Sequence, residues 1–259
     1  MKEIKCIFCD LPNIAKSEEH IVSESFGNRN YIMTKSTVCD CCNSKFSKFE
    51  KKALSNSIFL MERARHGIKS KKQKSAKGKI GDFEIEGDPY FENAKIFIRG
   101  LQANNMREFN PRTNTFKLLL PAFDKSEVAT SKLLLKMGLE SIFTSQNNLF
   151  KKYNFADLKI FLQGNNNINW PFVTSRQEAF IFKSIPKYQH KHDLSKLPCE
   201  LKYSEEFENV LLFKFSYGGI SMILNLVDRN LNCMQKILDF DSKAILYPEH
   251  FRNKIIGSS

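Results

Sequence analysis

The chain has 259 residues, which is enough for one large domain or for a small module followed by a main domain. Hydrophobic residues make up 42% and charged residues 26%, as is usual in globular proteins, and no apolar run reaches the roughly 20 residues of a membrane span. The first residues lack the apolar core of a secretory signal, so we expect a cytoplasmic protein without a membrane partner.

Positive charge is concentrated in the first part of the chain. The formal net charge is +12, and the first 80 residues contain 17 Lys and Arg against 8 Asp and Glu, a surplus of nine. A cationic surface gains affinity for a polyanion by releasing its counterions, so nucleic acid is the first partner to consider. The alternative is a surface that is basic only for solubility.

The cysteines form a metal-binding pattern. Five of the seven lie within the first 42 residues, which in a reducing compartment is typical of metal binding and not of disulfides. Cys6 and Cys9 form one Cys-x-x-Cys pair, and Cys39 and Cys42 form another. Two residues between ligands let a tight turn direct both sulfurs to a single ion, so we predict one tetrahedral, structural Zn²⁺. Cys41 is an alternative ligand, but the spacing favours the outer pair.

Short strands and one helix are predicted around the cysteines. A strand at residues 2–8 enters the first pair, and strands at 20–22 and 31–33 flank a turn signal at Gly27-Asn28. From residue 43 to about 65, apolar residues recur at intervals of three and four, which predicts one amphipathic helix.

The remainder is predicted to be a mixed domain, so the fold class is α+β. Residues 67–81 are rich in Gly, Ser and Lys without periodicity, which predicts a basic linker between a module at 1–66 and a domain at 82–259. Ser126 is a candidate N-cap of a largely buried helix. Further strands are predicted within 83–100, 106–121, 178–185, 208–216 and 220–227, the last two as a hairpin, with a second helix near 153–162.

Between the two cysteine pairs stands Glu19-His20-Ile21, leading on to Gly27, and Asn43 comes directly after the second pair at the start of the predicted helix. This order resembles the zinc-bracketed branch of the HNH endonuclease family, the ββα-metal nucleases. The resemblance covers residues 3 to 65 and depends on several spaced elements together.

The sequence departs from the commonest family pattern at three places. Ser23 stands where a proline is common and Asn28 where a second glycine is common, and both changes affect loop shape more than chemistry. Better-known members use a histidine as the helix ligand, whereas this chain offers Glu50 there.

These residues also have the chemistry of phosphodiester hydrolysis, which requires a deprotonated water and a divalent cation to neutralise charge on the phosphate. His20 has the intrinsic pKa of a general base, and Glu19, its neighbour on a strand, would point away from it towards the metal. Asn43 would orient His20, and Glu50 lies two helical turns further on the same face. Glu19 and Glu50 therefore form a hard-oxygen site suited to Mg²⁺ or Mn²⁺.

Some carboxylates and one histidine near the motif are weaker candidates. Glu18 could exchange roles with Glu19, and Glu24 is a spare carboxylate. His66 lies beyond the expected reach of the site.

Outside the motif the sequence offers few sites. His190 and His192 form a His-x-His pair, which in a Lys-rich loop is more often solvated than metal-bound. Trp170-Pro171-Phe172 is interpreted as core, with a base-stacking pocket as the alternative. The tract from Lys69 to Lys79 either follows a phosphate backbone or keeps a linker soluble.

The sequence thus predicts a metal-dependent endonuclease that hydrolyses DNA, and the resemblance implies bacterial or phage defence or a mobile element. A non-catalytic, zinc-containing DNA-binding or adaptor protein is the alternative from another class. The domain at 82–259 is expected to supply target recognition, dimerisation or activation. Three possibilities stay open for this domain: a homodimer, a protein partner, and a small-molecule activator that gates the nuclease.

Overall fold

A computed structural model describes residues 5–12, 18–27, 30–34, 36–70, 72–92, 94–164, 169–186 and 199–252. Its helices are α1 (Asp40–Leu54), α2 (Ser57–Arg65), α3 (Glu127–Ser145), α4 (Asn147–Lys152), α5 (Ala156–Gln163) and α6 (Asn232–Phe240). Its strands are β1 (Lys77–Ile80), β2 (Phe83–Gly87), β3 (Ile96–Arg99), β4 (Met106–Asn110), β5 (Thr115–Leu118), β6 (Phe172–Ser175), β7 (Lys183–Ser184), β8 (Cys199–Ser204), β9 (Leu212–Tyr217), β10 (Ile220–Asn225) and β11 (Ile245–Tyr247). The predicted α+β class is confirmed.

The strands of the described ranges form antiparallel sheets. β1, β2 and β3 form a small sheet in this order, β4 and β5 form a ribbon, and the largest sheet has the order β11-β6-β10-β9-β8-β7. The predicted hairpin is confirmed, because β9 and β10 pair from Leu212 opposite Asn225 to Tyr217 opposite Ile220. Gly218 and Gly219 form its turn at φ of 60° and 80°, a conformation that favours glycine.

One hydrophobic core joins the cysteine-rich segment to the largest sheet. Phe26 and Phe46 belong to the same apolar cluster as α3, β9 and β10. The hydroxyl of Tyr217 in β9 donates to the carbonyl oxygen of Phe26 at 3.3 Å, and α1 packs against α3. α3 is buried along most of its length, and its predicted N-cap is confirmed, because Ser126 Oγ accepts from the N–H of Ala129 at 3.1 Å.

The helix predicted from residue 43 to about 65 is in fact two helices, α1 and α2, so this prediction was wrong. Asn56 between them is buried and extended, with φ of −61° and ψ of 146°. Its Nδ2 donates to the carbonyl oxygens of Ala53 and Ser126, and its Oδ1 accepts from the N–H of Ser126. The decisive partner is 70 residues away, so local periodicity does not show the break.

The predicted linker ends inside the small sheet. Its last residues form β1, which pairs with β2 from Lys77 opposite Glu86 to Ile80 opposite Phe83. Ala76 and Ile80 are buried against α2, whereas Lys77 and Lys79 are exposed. This alternation was obscured by the high lysine content. The predicted domain boundaries at residues 66 and 82 stay a prediction. α2, which precedes the first boundary, packs against β1 and β2.

Other elements differ in extent. The strand predicted at 178–185 is reduced to β7, and the strands predicted at 20–22 and 31–33 form an isolated bridge between His20 and Ile32. Of the strand predicted at 2–8, residues 2–4 lie outside the described residues, and Lys5 forms an isolated bridge with Pro12 in place of a strand. Asn28 also lies outside the described residues. β6, β8 and β11 were not predicted, because short strands are defined by distant pairing. α6 was also not predicted, although Met234, Ile237 and Leu238 recur at helical spacing. Within the described ranges, no helix is long and apolar enough to cross a bilayer.

Candidate functional site

The four predicted cysteine ligands lie together at the start of α1. The Sγ atoms of Cys6, Cys9, Cys39 and Cys42 are all within 4.8 Å of one another, and those of Cys9 and Cys39 are 3.7 Å apart. Sulfurs placed tetrahedrally around zinc at about 2.3 Å are about 3.8 Å from each other, so the quartet fits Zn²⁺. Cys41 is exposed and outside this cluster, so the four sulfurs that lie together are those that the spacing favours.

Hydrogen-bond donors point at these sulfurs. Cys39 is the N-cap of α1, and its Sγ accepts from the N–H of Cys42 at 3.3 Å. Cys6 Sγ accepts from the N–H of Cys39 at 3.4 Å, and Gln163 Nε2 in α5 donates to Cys42 Sγ at 3.0 Å. The side-chain hydrogen bond with Cys42 lowers the pKa of Cys6 to about 4. The same bond raises the pKa of Cys42. The N–H donors favour the thiolate, which is the form that binds zinc.

The segment that carries Glu19 and His20 is held by backbone pairing. The N–H of Ile21 donates to the carbonyl oxygen of Tyr31 at 3.0 Å, and the N–H of Met33 donates to that of Glu19 at 2.9 Å. Side chains at successive positions of such an extended segment point to opposite sides. Glu19 is accordingly turned inwards and His20 outwards.

His20 lies at the surface beside another carboxylate. Its side chain is 21% exposed, and Nε2 is 3.7 Å from Oε1 of Glu24, in the 3₁₀ turn Glu24–Phe26. Its Nδ1 is buried and has no hydrogen-bond partner among the described residues. Glu18 is exposed, so Glu19 and not Glu18 is the carboxylate that enters the protein interior.

The two carboxylates predicted to bind the catalytic cation converge on one point. That point holds the ammonium group of Lys136 in α3, whose Nζ is 2.5 Å from Glu19 Oε1 and 2.9 Å from Glu50 Oε1. Glu140, one turn further along α3, places Oε2 at 3.2 Å from the same nitrogen. Lys136 Nζ also donates to the carbonyl oxygen of His20 at 3.4 Å. We call Glu19, Glu50, Lys136 and Glu140 the carboxylate–lysine cluster.

Charges in this cluster are strongly coupled. Burial disfavours the ammonium of Lys136, but the carboxylates of Glu140, Glu50 and Glu19 outweigh it and raise the pKa of Lys136 well above its usual value. Burial raises the pKa of Glu140 well above its usual value, against the opposing effect of Lys136. Glu19 Oε2 and Glu140 Oε1 are buried without a hydrogen-bond partner among the described residues. Three carboxyl groups therefore share one ammonium group, and two of their oxygen atoms remain without a hydrogen-bond donor among the described residues.

Asn43 occupies the first turns of α1, two helical turns before Glu50. It is half-buried, and its backbone N–H donates to the carbonyl oxygen of Cys39 at 3.0 Å. The predicted zinc ligands and the predicted catalytic side chains of this helix are thus held on one rigid element.

A cleft of about 510 Å³ opens beside Glu50. Its lining is basic and rich in hydroxyl groups, and it joins α1, α2 and β1. The Nε of Arg63, in this lining, is buried and has no hydrogen-bond partner among the described residues. The basic residues are Lys51, Arg63, Lys77, Lys79 and Lys125, and the serines are Ser23, Ser25, Ser47 and Ser55. Such a surface suits the phosphates of a nucleic acid backbone.

Several sequence candidates lie elsewhere. His66 follows α2, with its Nε2 3.6 Å from Glu62 Oε2. Trp170 is fully buried and its Nε1 donates to the carbonyl oxygen of Asn225 at 2.8 Å, so it belongs to the core. His190 and His192 lie outside the described residues.

The sequence analysis missed Lys136 and Glu140. A signal was present, because a lysine and a glutamate stand four residues apart inside a long apolar helical stretch, SKLLLKMGLESIF. Charged residues are almost never fully buried unless they are paired. Which residues pair with them depends on the packing of α1 against α3.

Residues 6–59 match the model of a family described as HNH endonuclease. The match spans 54 of the 259 residues and contains the cysteine quartet, Glu19, His20, Asn43 and Glu50. The resemblance inferred from the motifs is confirmed, and it supports a nuclease family for this segment. No curated protein and no solved structure gives a significant match.

Proposed function

We propose, from the premise that residues 6–59 carry an HNH endonuclease module, that this chain hydrolyses DNA phosphodiester bonds with the help of a divalent cation. The observation that carries the proposal is the convergence of Glu19 and Glu50 on one point beside the His20 segment, next to a basic cleft. The carboxylate oxygens are hard donors that suit Mg²⁺ or Mn²⁺, and the cysteine quartet suits structural Zn²⁺.

Each residue has a role that its position allows. Glu19 and Glu50 would hold Mg²⁺ or Mn²⁺, which when bound neutralises charge on the phosphate and the leaving oxygen. His20 would accept the proton of the attacking water, and Glu24 next to Nε2 would stabilise the imidazolium that forms. Asn43 is proposed to position His20, and the lysines of the cleft would bind the flanking phosphates.

The first prediction concerns the general base. Supercoiled plasmid incubated with the protein and Mg²⁺ or Mn²⁺ should become nicked or linear, and a chelator of these ions should stop the reaction. His20→Ala should lower the cleavage rate by about 100-fold or more, because a positioned general base contributes about that much. Zinc content, the unfolding transition and DNA affinity should be retained.

His250→Ala is the matched control, since His250 is exposed and lies outside the module. It should cleave like the original protein. If His20→Ala cleaved at the original rate, His20 would not be the base. If the zinc-loaded protein bound DNA but never cleaved it, the chain would be the non-catalytic DNA-binding protein that the sequence analysis kept as an alternative.

A further inference from the structure

The ammonium group of Lys136 lies where the proposed function requires a divalent cation. Its side chain is 1% exposed and its Nζ is within 3.2 Å of oxygens from three carboxyl groups, those of Glu19, Glu50 and Glu140. Glu19 and Glu50 belong to the nuclease module, whereas Lys136 and Glu140 come from α3, far along the chain. The second part of the chain therefore contributes directly to the cation position.

The distances from Lys136 Nζ to the carboxylate oxygens are those of an ammonium group. They run from 2.5 to 3.2 Å, whereas oxygens bound to Mg²⁺ lie about 2.1 Å from the ion. Mg²⁺ in place of the ammonium group would therefore draw the three carboxylates closer together.

The carboxylate–lysine cluster nevertheless has oxygen atoms available for a cation of higher charge. Glu140 is fully buried, Glu19 is 7% exposed, and one oxygen of each has no hydrogen-bond partner among the described residues. Buried carboxylate oxygens without partners are costly, and a cation of higher charge would satisfy them. The single ammonium group of Lys136 is shared by three carboxyl groups.

We propose that Lys136 is an internal competitor of the catalytic cation, and that Glu140 is the third carboxylate of that cation's site. The inference rests on the proposed function, because it concerns the same site. Metal binding then requires the lysine side chain to withdraw and the three carboxylates to close around the ion. The nuclease module is held in a metal-poor state by a residue of α3.

The geometry of α3 indicates that the side chain moves and the helix stays. A Cβ atom at Gly138 would lie 2.5 Å from Leu226 Cδ2 and 3.0 Å from a ring carbon of Phe213, so α3 is closely packed on the sheet. The four-carbon stem of lysine is flexible by comparison. Exchange of ammonium for metal is thus a local event.

The test is Mn²⁺ binding by the zinc-loaded, full-length protein, measured from the electron paramagnetic resonance signal of free Mn²⁺. Lys136→Met and Lys136→Gln should bind Mn²⁺ about tenfold more tightly than the original protein. If Lys136 leaves the site free in about 10% of the original molecules, their apparent affinity for Mn²⁺ is about tenfold lower than that of an open site. Adding Glu140→Gln to Lys136→Gln should weaken Mn²⁺ binding again. Lys132→Met is the control, because Lys132 lies one turn earlier on α3 and donates to the carbonyl oxygen of Gly164; its affinity should stay within about twofold.

Thermal unfolding provides a readout that is independent of cleavage. Without Mn²⁺, Lys136→Met leaves buried carboxylates facing one another and should unfold at a lower temperature, and Mn²⁺ should raise that temperature more than in the original protein. Lys136→Gln retains two N–H donors, so it replaces Lys136→Met in these measurements if the methionine variant does not fold.

Unchanged Mn²⁺ affinity in both Lys136 variants would overturn the inference. So would plasmid cleavage that persists in chelator and is lost in Lys136→Gln, because Lys136 would then take the place of the metal. Tighter Mn²⁺ binding without any DNA cleavage would instead refute the proposed function and leave the competition between lysine and metal intact.

Discussion

Asn56 is a buried amide that decides where α1 ends and α2 begins. Beside its bonds to the backbone of the loop before α3, its Nδ2 lies 3.1 Å from Thr130 Oγ1. Ser57, the next residue, donates its N–H to Asp124 Oδ1 at 2.8 Å, which supplies an acidic partner at the start of α2. These bonds fix the entry to α3, and with it the position of Lys136.

We predict that Asn56→Ala destabilises the protein by about 3 kcal/mol. The reason is that the substitution removes the acceptor of the part-buried backbone N–H groups of Lys125 and Ser126 at the entry to α3. Urea unfolding followed by circular dichroism measures the change. Ser55→Ala is the control, because Ser55 is exposed and its Oγ bonds only locally to the carbonyl oxygen of Lys52, so its effect should be within about 0.5 kcal/mol. Equal effects of the two substitutions would contradict this account of the helix break.

α1 connects the cysteine quartet to the candidate catalytic site. Cys39 caps its start, Cys42 lies in its first turn, and Glu50 reaches Lys136 from its later part. Phe46 lies between them, fully buried with its ring 4.7 Å from that of Phe8 beside the first cysteine pair. A metal at the cysteines would therefore fix the orientation of a helix that presents Glu50.

We predict that Cys42→Ser loses zinc and that Cys41→Ser does not. Cys42 is buried within the quartet, whereas Cys41 is exposed on the adjacent position of the same helix. A spectrophotometric assay of bound zinc after gel filtration gives the result, and the loss should be accompanied by a lower unfolding temperature because zinc binding contributes folding energy. Zinc retained by Cys42→Ser, or lost by Cys41→Ser, would show that the ligand set is different.

The basic cleft exists only when the two parts of the chain are packed together. Lys51 comes from α1 and Arg63 from α2, while Lys79 comes from β1 and Lys125 from the approach to α3. Its serines extend it towards the turn that follows His20. A DNA backbone bound there would run past Glu50 and the surface where His20 lies.

We predict that Lys51→Gln combined with Lys79→Gln weakens DNA binding uniformly across sequences. Both lysines are exposed in the cleft, and each lost phosphate contact lowers the slope of log affinity against log salt by about 0.9. Fluorescence anisotropy at several salt concentrations should therefore show a slope reduced by about 2. The double variant Lys117→Gln, Lys151→Gln removes the same charge from exposed positions outside the cleft and should keep the original slope. The same loss of slope in both would mean that net charge, not the cleft, governs binding.

Much of the module was predictable because its signals are local. The spacing of Cys6, Cys9, Cys39 and Cys42 requires only tight turns, and the alternation along an extended segment was enough to separate Glu19 from His20. The hairpin of β9 and β10 was also evident from a glycine turn between two apolar runs. In contrast, the end of α1 and the strand in the lysine tract depend on partners that are distant in sequence.

Local chemistry therefore predicted the zinc quartet, the Glu-His motif and the convergence of Glu19 with Glu50. It did not predict what lies between these two carboxylates, because Lys136 is 117 residues from Glu19 and its own surroundings in the sequence are those of an apolar helix. The reason is burial, because an ammonium group inside the core is stable only when it is paired with carboxylates. Which carboxylates pair with it is determined by the packing of α3 against α1.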